Sequence, residues 1–212
     1  MSWYAKNTGY YGLGDPEADA NALEIYYVLH DLGFNYNAIC AVLGNIGYES
    51  GYNPWRWQSD YVVSTTQTSY INTQSGHAYG LLQFDPAGWV SGDPLAQRYI
   101  NNPAAMAYSN YGPNFANQPG NVMDGDAQLR WMNSYDIPVN GGWIPTASYP
   151  ETYAQFKVST QTVSYLTYAW EYNYERGTWN VARLAHATYW ESNLQNLIPT
   201  GLPVWMYFKF RR

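Results

Sequence analysis

Residues 38–54, AICAVLGNIGYESGYNP, constrain the fold of this chain more than any other stretch. Ile39, Val42, Leu43 and Ile46 recur at i, i+3, i+4 and i+7, which is one face of a 3.6-residue period and predicts a helix. The same face reaches Glu49 as its next member, just before a break at Gly51 and a compact Asn53-Pro54 turn. A carboxylate at the margin of an apolar stripe loses water on one side, which favours its protonated form. That is the state a general acid needs near neutral pH. The plainer alternative is a glutamate that merely ends a helix and points to water.

The flanking chain reads mostly helical. Asp15-Pro16-Glu17 looks like a helix entry, with Asp19 as an alternative cap, and Ile25, Val28, Leu29 and Leu32 carry the period to Gly33. Asn35 then restarts the helix that bears Glu49. From Trp55 to Tyr79 strand formers predominate, including Tyr61-Val62-Val63 and Tyr70-Ile71, and predict a two- or three-stranded antiparallel ribbon. A short helix is expected over 94–108, a Gly/Pro/Asn loop over 109–122, and a helix over 125–135 capped by Asp124. Residues 136–150 read as a loop with three prolines. A helix follows over 159–175 with Val163, Leu166, Trp170 and Asn173 on one face. Thr178 is expected to cap a last helix whose stripe is Val181, Leu184, Ala185 and Thr188. The fold class is thus α+β, predominantly helical, with a small β insertion directly after Glu49. We divide the chain into an arm (1–18), a main domain (19–197) and a linker-like or docking segment (198–212).

Composition removes several function classes. Ten Lys and Arg scattered over 212 residues, at a net charge of −6, do not form the basic patch of a nucleic-acid binder. The lone Cys40 cannot make an internal disulfide and is expected to be a buried thiol. With three His beside it, no metal site and no cofactor are expected. No stretch approaches the ~18 apolar residues of a membrane span, and the N-terminus shows no apolar signal segment. The 23 Tyr and 10 Trp suit sugar rings or protein interfaces equally well.

Other residues qualify as chemistry-bearing only in company. Asp60 precedes the ribbon and is a candidate second carboxylate, with Thr65 and Thr66 placed to hold a water; ordinary turn chemistry explains Asp60 equally well. Tyr79-Gly80-Leu81-Leu82-Gln83 combines a glycine that permits close backbone approach with a glutamine that binds amides or hydroxyls. Tyr189 is a possible ring-stacking contact. His186 reads as a surface helix residue, and Ser50 lacks the partners of a nucleophilic triad.

Taken in order, Glu49-Ser50-x-x-Asn53-Pro54, Tyr79-Gly80-Leu81-Leu82-Gln83 and the late ArgLeuAlaHisAlaThrTyr (183–189) resemble the lysozyme-like superfamily, including goose-type lysozymes and lytic transglycosylases. The nearer resemblance is to the phage tail lysozyme family, through AVLGNIGYESGYNP, YGLLQF, QLRWMNSY (128–135), AWEYNYERG (169–177) and VARLAHATYW (181–190), which together span roughly residues 20–195. The resemblance implies a lysozyme-like fold with Glu49 as the general acid at the bond between N-acetylmuramic acid and N-acetylglucosamine. It also implies a sugar groove lined by Ser50, Asn53, Tyr79, Gly80, Leu82 and Gln83, with Tyr189 facing it. Asp60 and Thr66 reproduce the Asp-x5-Thr part of an arrangement in other phage lysozymes, but the gap from Glu49 is two residues longer. The implied partners are peptidoglycan glycan strands and other phage tail proteins, and the implied location is the virion. Delivery by a virion removes the need for attraction to an anionic wall, which suits the acidic balance. A catalytically inactive glycan-binding tail module and a lytic transglycosylase are the competing expectations.

Overall fold

Local capping chemistry sets the first two helices. In the computed structural model, residues 3–4, 9–54, 56, 58, 78, 80–84 and 124–198 are described. Helix α1 runs Pro16–Asp31; Asp15 accepts the Glu17 N–H at 3.1 Å, and Pro16 occupies the first turn, where its missing N–H costs nothing. Asn35 accepts the Ala38 N–H and starts α2, Tyr36–Ser50. Gly51 closes α2 in the left-handed conformation (φ 54°), its N–H returning to the Gly47 carbonyl. The expected entries at Asp15 and Asn35 and the expected break at Gly51 are all present.

The later helices are α3 (Asp124–Trp131), α4 (Tyr153–Lys157), α5 (Val163–Trp170) and α6 (Val181–Leu197). Two of them widen at their ends: α3 continues as a π-helical turn over Met132–Asp136, and α5 as another over Glu171–Glu175. Thr152 and Gln155 form a reciprocal capping box for α4. The fold is predominantly helical. No strand occurs among the described residues, so the expected ribbon over 55–79 is not supported there. Most of that segment, and the expected helix over 94–108, lie outside the described residues. Where the segment leaves and rejoins the fold, the Gln58 N–H donates to the Ala78 carbonyl and the Gly80 N–H to the Arg56 carbonyl, both at 2.8 Å, in the antiparallel sense.

Helix α2 is the axis of the molecule. Ala38 through Gly47 are all buried, not just the predicted stripe, because α5, α6 and α1 pack around it. Cys40 is buried as expected. Gly44 and Gly47 let α6 press against α2: a methyl on Gly44 would stand 2.5 Å from the Ala187 Cβ and 2.7 Å from the Arg183 carbonyl oxygen. A methyl on Gly47 would stand 2.2 Å from the Tyr52 hydroxyl oxygen. Much of the aromatic content is spent on the core, with Trp3, Trp131, Trp170 and Trp190 fully buried. Phe156 sits among Trp143, Trp170 and Phe34.

Two expectations about α6 require correction. Asn180, not Thr178, caps it, accepting the Ala182 N–H at 2.9 Å. The preceding turn ends with Arg176 left-handed (φ 55°) and the Gly177 N–H bonded to the Glu171 carbonyl, so the chain needs further residues before it can re-enter a helix. The inward stripe is Arg183, Ala187, Trp190 and Leu194, whereas Val181 is exposed. A pattern search for apolar residues rejects Arg183 from a core stripe; the structure places it there because carboxylates from other elements meet it.

Beyond Gly51, Tyr52 is also left-handed (φ 62°) and fully buried, a conformation uncommon for a bulky side chain. Its hydroxyl accepts the Trp190 indole N–H at 2.7 Å and lies 2.7 Å from the His186 Nδ1. Tyr52→Phe leaves that indole N–H buried without its acceptor, so a stability loss of about 1–3 kcal/mol is expected in chemical denaturation.

Candidate active site

The last turn of α2 carries Glu49 at the molecular surface, its side chain 19% exposed. Four residues earlier, Asn45 lies on the same side of the helix. Close packing of α6 at Gly44 brings Arg183 alongside both. Its Nη2 donates to the Glu49 Oε1, its Nη1 donates to the Asn45 Oδ1 at 2.8 Å, and its Nε lies 3.4 Å from the Glu171 Oε1. The guanidinium also lies over the Tyr48 ring, 4.6 Å from the centroid. Both Nη atoms of Arg183 are thus hydrogen-bonded and its Nε faces a buried carboxylate at ion-pair distance, while its own side chain is only 6% exposed.

Burial pushes the Glu49 carboxyl above the usual carboxylate range, and the charge and hydrogen bond of Arg183 pull the other way without cancelling it. Glu171, fully buried, is raised mainly by burial; Arg183 and the Asn180 backbone oppose this, and Glu49 adds to it. Glu175, which accepts the Trp170 indole N–H at 3.0 Å, is raised to about 8, first by burial and then by the charge of Glu49. Three carboxyl groups therefore share one cation. With Glu175 raised to about 8, the group holds a proton at neutral pH, and Glu49 is the member whose helix end reaches solvent.

The sign of the Glu175 shift makes a prediction. Its folded-state pKa lies above the ordinary 4.5, so the folded protein binds a proton that the unfolded chain releases between those values. Stability then falls as pH rises from about 4.5 to about 8. Glu175→Gln is expected to flatten that decline in thermal melts taken across the interval.

The remaining predicted site residues that are described have hydrogen-bond or packing partners of their own. Ser50 is fully buried and its hydroxyl donates to the Ile46 carbonyl at 3.1 Å. Asn53 is also buried and donates to the Gly9 carbonyl, pinning the N-terminal arm to the end of α2. The close backbone approach expected at Gly80 is real, but the neighbour is Gln128: a methyl there would stand 2.5 Å from its Oε1. That same oxygen accepts the Leu81 N–H, and the Gln128 Nε2 donates to the Pro54 carbonyl. Leu82 is buried, and the Gln83 amide donates to the Arg56 and Gly80 carbonyls at 3.0 Å. These residues hold the chain after α2 in place. Tyr189 is half-buried, with its ring edge-on to Trp190 at 5.0 Å. Asp60 and Tyr79 lie outside the described residues.

The profile of the phage tail lysozyme family matches residues 20–194, a span that contains Glu49, the turn at 80–83 and the Arg183 helix. The chain belongs to the phage tail lysozyme family. It is also 28% identical over 203 residues to Morphogenesis protein 1 of Bacillus phage B103. That alignment covers 94% of this chain and 45% of the relative, so the chain spans about half the length of the protein it matches.

In this phage tail lysozyme family member, Arg183, Asn45, Glu171 and Glu175 escaped the sequence reading. Residues 183, 187, 190 and 194 do form a helical stripe, and the signal was an arginine within it. The arm residues, read as irregular, also contribute. Tyr10 to Leu13, with Gly47, Tyr48 and His186, line a cavity of about 560 Å³ beside the helix end. The Tyr11 N–H docks on the Gly51 carbonyl, and Arg56 lies over the Tyr10 ring. His186 is half-buried rather than a plain surface residue, and burial lowers its pKa. No cluster of potential metal ligands occurs among the described residues, and no described helix is long and apolar enough to cross a membrane.

Proposed function

We propose that the protein is a virion tail-associated peptidoglycan hydrolase that opens the host wall locally during genome entry, with Glu49 as its general acid. Its bond is the one joining N-acetylmuramic acid to N-acetylglucosamine. The observation that carries this reading is a partly exposed carboxyl, raised by burial and oriented by a buried guanidinium, at the end of the central helix in a chain of the phage tail lysozyme family. In this reading Glu49 gives its proton to the glycosidic oxygen, and Arg183 holds the carboxyl in register. The cavity beside Tyr48 and the exposed Tyr10 and Tyr48 rings suit hexosamine faces. Asp60 is the candidate second carboxylate. Tyr79, Gly80, Leu82 and Gln83 shape the groove floor, Ser50 and Asn53 support the acid's turn, and Tyr189 flanks it. Residues 198–212 serve as a linker or as a docking segment for other tail proteins.

Lytic transglycosylase chemistry would use the same Glu49 without a second carboxylate. Purified cell walls digested by the protein and by Glu49→Gln, followed by mass spectrometry of the released muropeptides, decide between the readings. Reducing ends that vanish with Glu49→Gln support hydrolysis, and 1,6-anhydro ends point to transglycosylation. Equal lysis by both proteins sinks the assignment of Glu49.

A further inference from the structure

We propose that Arg183, anchored by the fully buried Glu171 and by Asn45, is the positioning residue for Glu49, fixing the orientation of its carboxyl and setting the pH at which it gives up its proton. The proposal rests on the reading of Glu49 as the acid.

The geometry that carries it is the division of labour among the Arg183 donors. Nη2 meets Glu49, Nη1 meets Asn45 and Nε faces Glu171, while Tyr48 covers one face of the guanidinium. An arginine fork is planar and rigid, so the hydrogen bond to Asn45 and the opposite charge of Glu171 beside Nε restrict how its third edge can turn. The Glu49 oxygen that meets Nη2 is therefore placed by residues of three elements: α2, α6 and the turn after α5. A surface ion pair would not require this, since its partners are free to rearrange in water.

The arrangement also sets opposing influences on one proton. Arg183 favours the ionised form of Glu49. Burial favours its protonated form, and Glu171, which shares the same cation, is itself raised by the charge of Glu49, so the two carboxylates oppose each other's ionisation. The charged or titratable groups facing Glu49 are Arg183 from α6 and Glu171 and Glu175 from the turn after α5. His186, one turn along α6, is directed to Tyr52 instead. With Glu171 present, the single cation holds the acid in place without stripping it of its proton.

The test is the alkaline limb of the pH–rate profile for wall lysis, where a general acid is lost. Glu171→Gln keeps Arg183 paired with Glu49 and is expected to move the limb to lower pH. The double variant Arg183→Met with Glu171→Gln removes the cation without leaving Glu171 as a buried carboxylate beside no counter-charge. Its limb is expected about one pH unit above that of Glu171→Gln alone. Repeating both on a Glu175→Gln background ensures that the limb does not report Glu175. A limb that stays put in Glu171→Gln, with only the amplitude changed, overturns the proposal. Activity that survives in Glu49→Gln overturns the functional reading instead, so the two failures are distinguishable.

Discussion

Replacing Glu49 with Gln is expected to lower the rate of wall lysis by about 100- to 10,000-fold, the usual contribution of a positioned general acid. The amide keeps the shape of the side chain and an oxygen that still accepts from Arg183, but it has no acidic proton to give. The fold should survive, because Arg183 keeps Glu171 as its counter-charge and Asn45 as a hydrogen-bond acceptor. Turbidity loss of a purified wall suspension measures the rate, and circular dichroism with thermal melting checks the fold. A well-folded variant that retains most of the activity would leave the carboxylate as a structural end to α2 and favour a glycan-binding role for the domain.

The second large effect is expected from a single methyl group. Gly44→Ala should destabilise the protein by about 3 kcal/mol, at the upper end of the overpacking range. Alanine is the better helix former by about 1 kcal/mol, so propensity alone predicts the opposite sign. The added Cβ would stand 2.5 Å from the Ala187 Cβ, 2.7 Å from the Arg183 carbonyl oxygen and 2.9 Å from the Ala187 backbone nitrogen. No rotamer change relieves contacts with backbone, so α6 as a whole must move away from α2. Because α6 carries Arg183, lysis should fall along with the melting temperature. Gly12→Ala, whose Cβ would meet nothing within 4 Å, is the matched control and should be close to neutral. Equal melting temperatures for the two variants would mean that α2 and α6 do not pack as closely as described.

Legibility in the sequence followed the range of the interactions. The entry at Asp15, the restart at Asn35 and the stop at Gly51 were all readable, because each rests on hydrogen bonds spanning two to four residues. The buried face of α5 and the π-helical turn that continues it, with Val163, Leu166, Trp170 and Asn173, was readable for the same reason of period. The neighbour of Gly80 was not. Gly80 does accept a close neighbour, but the neighbour is Gln128, forty-eight positions on, and nothing local names it. The Thr178 cap failed because the π-helical turn at Glu171–Glu175 and the left-handed Arg176 shift where the next helix is able to begin.

By itself the sequence determined a helix from Tyr36 to Ser50 with a carboxylate in its last turn, through an apolar period, an asparagine cap and a glycine stop. Only the tertiary structure decided what that carboxylate faces. A guanidinium enters a core only where carboxylates from elsewhere meet it, since an unpaired buried charge is strongly unfavourable. Arg183 finds Glu49 across 134 positions and Glu171 from a third element, and it is their convergence that turns the outward-reading α6 inward at this point.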